Sequence, residues 1–165
     1  MRFSTIADRA WSSANSVMVK LCNDRLAEAV DLQLQCKHAC WNTTEPDVLS
    51  YRDLFGQLAR EVEDYCDQIA ERAVEIGGVA NSTARVVVTW SHLLCSFDAL
   101  SRNHAEIIAS ALASFGDRTA QAIDVSNQFN DRVSANMFRQ ISLSIEEWLE
   151  ELAALSTGDI DPSYA

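Results

Sequence analysis

The 165 residues suit a single domain, long enough to bury a core without disulfide or metal staples. With 48% hydrophobic residues and two prolines, the composition excludes disordered and collagen-like chains. The net charge of −11 argues against general affinity for DNA or anionic membrane, which need a positive surface, and is compatible with cation handling or simply with a solvated acidic surface.

Residues 1–12 carry no sustained period and read as a tail without the apolar run of a secretory leader. No stretch approaches the roughly 18 apolar residues of a membrane span. The five cysteines, Cys22, Cys36, Cys40, Cys66 and Cys95, fall mostly within helical pattern and read as reduced thiols of a soluble, cytoplasmic protein.

A helical pattern runs over about 13–42, with Leu26, Val30 and Leu34 at i, i+4 and Trp41 a heptad after Leu34. Thr43-Thr44-Glu45-Pro46-Asp47 breaks it, since proline cannot continue a helix but starts one well. A second helix is expected over about 46–76, with Leu54, Leu58, Val62, Tyr65, Ile69 and Ile76 as its apolar stripe. Gly77-Gly78 ends it at a left-handed cap. The segment 79–96 is less regular. Arg85-Val86-Val87-Val88 has strand propensity but no partner strand, so a short helix within a crossover is expected, with Trp90, Leu93 and Leu94 needing a cover. A long helix follows over about 97–127, with Leu100, Ile107, Ala111 and Phe115 inward. Asn130 or Asp131 can cap the last helix, whose stripe is Met137, Ile141, Ile145, Trp148, Leu152 and Leu155. Gly158 and Pro162 mark an acidic tail over 156–165.

Four long helices with one long connection, between the second and third, imply an all-α, single-domain chain over 1–165. The arrangement is a ferritin-like four-helix bundle with a short crossover helix.

Asp67 and Glu71, at i, i+4, put two carboxylates on one helix face, where they can share a cation. Arg72 and Glu75 beside them fit equally well with a solvated, charge-laced face. In Cys36-Lys37-His38-Ala39-Cys40, the two thiols share a face and could bind a soft metal with help, or be buried and inert. His38 points roughly 200° away from them. His92 and His104 have no acidic or thiol neighbour at ligand spacing and read as ordinary polar positions. No phosphate loop, zinc-finger spacing or serine elbow is present.

Several runs together resemble the Dps proteins, the miniferritins of starved bacteria. Leu26-Ala27-Glu28-Ala29-Val30-Asp31-Leu32-Gln33 is similar to their first helix, and Trp41-Asn42 to the end of their His-Trp-Asn motif. Asp67-Gln68-Ile69-Ala70-Glu71-Arg72 followed by Gly77-Gly78 resembles their most distinctive signature. Ser134-Ala135-Asn136-Met137-Phe138-Arg139-Gln140-Ile141-Ser142 resembles the start of their last helix, so the likeness spans about 17–155. It implies a hollow twelve-subunit shell in which iron enters through threefold pores, is oxidised at sites shared across a dimer interface, typically by peroxide, and is stored as ferric mineral.

The resemblance also implies where the chain departs from its family. The family's iron site takes two histidines and an aspartate from one subunit and an aspartate and a glutamate from the other. Those positions fall here on Cys40, Arg52 and Gly56, leaving Asp67 and Glu71 as the metal-binding carboxylates. Arg52 is a permanent cation at a metal position, expected to pair with Asp67 or Glu71 of the neighbouring subunit, with Cys40 packing beside Trp41. At the pore, Asp131 is retained, but Arg132, Val133 and Asn136 follow it. Neither tail resembles a DNA-binding arm.

The expectation is thus a cytoplasmic, homododecameric Dps-like shell subunit that sequesters iron and protects against oxidative stress. Iron is bound weakly or as mineral, ferroxidase activity is slow or absent, and DNA and membrane are not partners. Co-assembly with a paralogous Dps subunit is compatible with these losses. The competing readings are a non-catalytic structural or interaction shell in which an Arg–carboxylate pair replaces the metal, and a thiol-based redox or soft-metal site.

Overall fold

A computed structural model describes residues 6–43, 48–93 and 104–157. The turn residues 44–47, with Pro46, the stretch 94–103, with Leu94, Cys95, Phe97 and Leu100, and the tail 158–165, with Gly158 and Pro162, lie outside the described residues, as do 1–5. All described elements are helical: α1 (Ile6–Asn42), α2 (Val48–Glu75), α3 (Ala84–Trp90), α4 (His104–Gln128) and α5 (Arg132–Thr157).

Helix α1 lies along α2, and α4 along α5. Contacts between α1 and α4 and between α2 and α5 close the bundle, while α3 rests on α1. The stripes read from α2 and α5 face inward: Leu58, Val62, Tyr65, Ile69, Ile141, Ile145 and Leu152 are buried, joined by Phe55, Ile108, Leu112, Phe115 and Phe138. Each large side chain so buried stabilises the fold by roughly 1.5–3 kcal/mol.

Two expectations for α1 need correction. The helix already includes Ile6, inside the presumed tail, because no glycine or proline interrupts the chain before Pro46. Leu34 is not in the core. Steps of four residues overshoot a full turn by about 40°, so Leu34 has rotated off the inner face and is 54% exposed, with Trp41 70% exposed on the same outer side. The inner face instead follows Cys22, Leu26, Ala29, Cys36 and Ala39.

The Gly77-Gly78 stop is required twice over. Gly77 has φ +89°, and a Cβ at Gly78 would collide with Val19 and with the Ala73 carbonyl at 2.8 Å. From there α1 guides the crossover. Asn23 donates through Nδ2 to the Val79 carbonyl (2.9 Å) and accepts from the Asn81 N–H (2.7 Å), and Ser91 donates to Asp31. The 79–96 segment thus carries a helix, α3, in place of the strand its valines permitted. Val87 and Leu93 are buried and Trp90 is half-buried.

Candidate functional site

On the face where α1 ends against the start of α2, three of the expected site positions converge. Cys40 is half-buried, and its thiol donates to the Arg52 carbonyl at 3.4 Å. Gly56 stands one turn beyond Arg52, where an added Cβ would lie 3.7 Å from Cys40 Sγ and 3.8 Å from Arg60 Nη1, ordinary contact distances. The Arg52 side chain is exposed, and Trp41 next to Cys40 is exposed rather than packed.

Asp67 and Glu71 are exposed further along α2. They do not join the other three within the chain. Asp67 is fifteen residues beyond Arg52, roughly 22 Å along the helix axis. Among the described residues, no ion pair involves Arg52, Asp67 or Glu71, and no group of three or more His, Cys, Asp or Glu side chains is placed to hold a metal ion.

The other thiols are core residues. Burial pushes Cys22, Cys36 and Cys66 up to about 12, so each stays a protonated, inert thiol at neutral pH. Cys36 and Cys40 share a side of α1, but Cys36 is fully buried while Cys40 reaches the α2 backbone.

At the opposite end of α2, the Arg72 guanidinium is fully engaged. Nε donates to Ser134 Oγ (2.9 Å), Nη1 to Glu75 (2.9 Å) and Nη2 to Asp131 (2.8 Å). Asp131 also caps α5, accepting from the Ser134 backbone N–H (3.1 Å) and hydroxyl (2.6 Å). Partial burial works to raise the Asp131 carboxyl, but the Ser134 and Arg72 hydrogen bonds hold it below its ordinary value. These contacts sit beside an open cavity of about 680 Å³ lined by Asn15, Met18, Arg72, Phe129, Arg132 and Val133. The expected pore carboxylate is therefore a helix cap and ion-pair partner whose acceptors are already in use.

Two clusters were not anticipated. Glu28, fully buried mid-α1, meets Arg25 (Nη2 to Oε1, 3.1 Å) and Arg118 from α4 (3.3 Å). His38 of α1 meets His104 at the start of α4, ring centroids 6.3 Å apart at 63°. Arg25–Glu28 is readable in sequence as an i, i+3 pair, but nothing local reveals its burial. The histidines are 66 positions apart and carry no local signal at all.

The Ferritin-like domain family matches residues 19–158. The "DNA protection during starvation protein" of Agrobacterium fabrum is 26% identical over 145 residues, spanning 87% of this chain and 90% of that protein. The protein of the same name from Brevibacillus brevis is 24% identical over 145 residues, 85% of this chain and 96% of that one. Among solved structures, Dps from Thermosynechococcus elongatus superposes with a TM-score of 0.83 at 17% identity, covering 88% of this chain and 94% of that one. A Dps protein from Bacillus brevis gives 0.82 at 22% identity, with 87% and 97% covered. The chain belongs to the Ferritin-like domain family and is, within it, a Dps-like miniferritin.

Proposed function

We propose that this chain is a subunit of a closed Dps-type homododecameric shell that sequesters iron, with its intersubunit oxidation centre lost or impaired. The observation that carries the reading is the convergence of Cys40, Arg52 and Gly56 on one face, at the three positions where the family places two histidines and an aspartate. This donor set does not fit ferrous iron. It offers a thiol already directed at a backbone carbonyl, a permanent cation and a residue without a side chain. Iron enters this account as cargo. It is held weakly or as mineral on interior carboxylates, with Asp67 and Glu71 the nearest to the former centre. Oxidation is slow or absent.

A second reading, a non-catalytic shell in which an ion pair stands in for the metal, is favoured by one feature of α2. Arg52 with Glu71, and Gly56 with Asp67, are pairs of positions with the same midpoint, between Glu61 and Val62. Two copies of α2 crossing antiparallel about a twofold axis there set Arg52 of one copy opposite Glu71 of the other. Arg52, Asp67 and Glu71 are exposed and, among the described residues, form no ion pair, which supports that pairing. A guanidinium held bidentately by carboxylate leaves no room for a metal ion. Co-assembly with an intact paralogous subunit would supply the missing ligands.

The relatives' name invokes DNA. The charge of −11 and tails without a basic cluster support an acidic shell that does not retain duplex at physiological salt. No described helix is long and apolar enough to cross a membrane, and a cytoplasmic location fits the reduced thiols. The deciding experiment is stopped-flow oxidation of anaerobically loaded Fe²⁺ by peroxide, comparing the native protein with the triple variant Cys40→His, Arg52→His, Gly56→Asp. An added Cβ at Gly56 meets only ordinary contact distances. The variant is expected to oxidise iron rapidly and the native protein slowly. Equal rapid rates would refute the lost-centre reading.

A further inference from the structure

We propose that His38 and His104 form a surface binding site for a divalent transition-metal ion of the zinc or copper type, bridging the end of α1 to the start of α4. The site is separate from the α2 face discussed above and stands or falls independently of iron oxidation.

The two imidazoles come from different helices and meet edge to face, centroids 6.3 Å apart. A metal bound at about 2.0–2.1 Å from one nitrogen of each ring holds such centroids roughly 5–6 Å apart. The His38 side chain is exposed, so a small rotation closes the difference, while His104 is half-buried and steadier. Asn42 ties the pair together: its backbone hydrogen-bonds the His104 ring, and its Nδ2 donates to the His38 carbonyl at 2.8 Å. A ring nitrogen engaged with a backbone acceptor fixes the ring's orientation, the usual outer support of a metal-bound histidine.

The electrostatics favour the neutral imidazole a metal needs. Burial lowers the His104 pKa, and the neighbouring His38 acts in the same direction. Imidazole nitrogen suits zinc and copper, which stand high in the affinity order of divalent ions. Two protein ligands leave the remaining positions to water, so the site is exchangeable rather than structural.

The test is calorimetric titration of Zn²⁺ into the assembled protein at neutral pH. Native protein, His38→Ala, His104→Ala, Cys40→Ser and the double variant Glu63→Gln, Asp64→Asn, two exposed carboxylates of α2, are compared. Binding of one ion per chain is expected, weakened at least tenfold in each histidine variant and unchanged in the other two. With Cu²⁺, electron paramagnetic resonance should show hyperfine coupling to two imidazole nitrogens in the native protein and to one in His38→Gln, a variant whose exposed position keeps the fold intact. Unchanged affinity in both histidine variants overturns the proposal. So does loss of the site in the thiol or carboxylate variants instead.

Discussion

Two sets of arginines and carboxylates lie in opposite surroundings. Inside the bundle, Glu28 is fully buried between Arg25 and Arg118, and burial pushes its carboxyl up to about 7 against the pull of both guanidiniums. On the outer face of α2, Arg52, Asp67 and Glu71 are exposed and, among the described residues, form no ion pair. A charge removed from water must be answered where it is buried, whereas an exposed one can wait until another surface covers it. The inner set therefore belongs to the folding of one chain. On the reading proposed above, the outer set is completed by a second chain.

The sharpest way to break this contrast is to remove the inner carboxylate. Above pH 7, where Glu28 is ionised, Glu28→Ala leaves Arg25 and Arg118 without their counter-charge and should destabilise the chain by about 3–5 kcal/mol in urea unfolding. A loss no greater than that of an α2 surface variant would erase the distinction. The pH dependence sharpens it further. Glu28 ionises at about 7 when folded, against 4.5 ordinarily, so between those values the native state holds more protons than the unfolded one. Its contribution to stability is full below pH 4.5 and declines as pH rises towards 7. Glu28→Gln should be flat across that window. Asp131 has the opposite sign, because its folded carboxyl lies below its ordinary 3.8. Its contribution is present above that value and is lost as pH falls through the folded one. Asp131→Ala, which removes the α5 cap and a partner of Arg72, should cost about 1–2 kcal/mol. It should also flatten the acid limb of a thermal-melt series.

An effect similar in size to that of Asp131→Ala is expected at the α2 stop. Gly78→Ala forces a methyl group against Val19 and the Ala73 carbonyl, costing roughly 1–3 kcal/mol. The same substitution at Gly56 meets ordinary contacts and should be near neutral in circular-dichroism melts.

What was legible in the sequence follows from what is local. The stripes of α2 and α5 announce themselves because Leu58, Val62, Ile69, Ile141 and Ile145 repeat at helical spacing. Gly77-Gly78 announces a stop because one residue needs a positive φ and the next has no room for a side chain. Leu34 misled because equal steps of four look periodic in a list but precess around a real helix. The early start of α1 was hidden because residues 6–12 show no apolar period, although nothing in them breaks a helix. Cys40, Arg52 and Gly56 have no shared local signature. Only resemblance put them together, and the fold then brought Cys40 against α2. His38–His104 and Glu28–Arg118 join α1 to α4 across the bundle, and a pairing between distant segments leaves no mark on either.

The outer set gives the subtlest test, since its effect lies in assembly and not in the chain's own stability. Arg52 is exposed and, among the described residues, forms no ion pair, so Arg52→Ala should alter unfolding of the isolated chain by no more than about 0.5 kcal/mol. If Arg52 lies opposite Glu71 of a second copy, the same variant leaves that carboxylate without its counter-charge in the contact and weakens it. Analytical ultracentrifugation across a dilution series should show dissociation at higher protein concentration than in the native shell. Reversing one charge should act more strongly: Arg52→Glu and Glu71→Arg each set like charges together across the axis. Combined, they restore an opposed pair with its polarity exchanged, and assembly should recover. Recovery is the informative outcome, because a mere loss of solubility or a local fold defect would accumulate in the double variant and not cancel. Three variants that assemble as the native chain does would mean that Arg52 and Glu71 never meet, and that the twofold contact uses another face of α2.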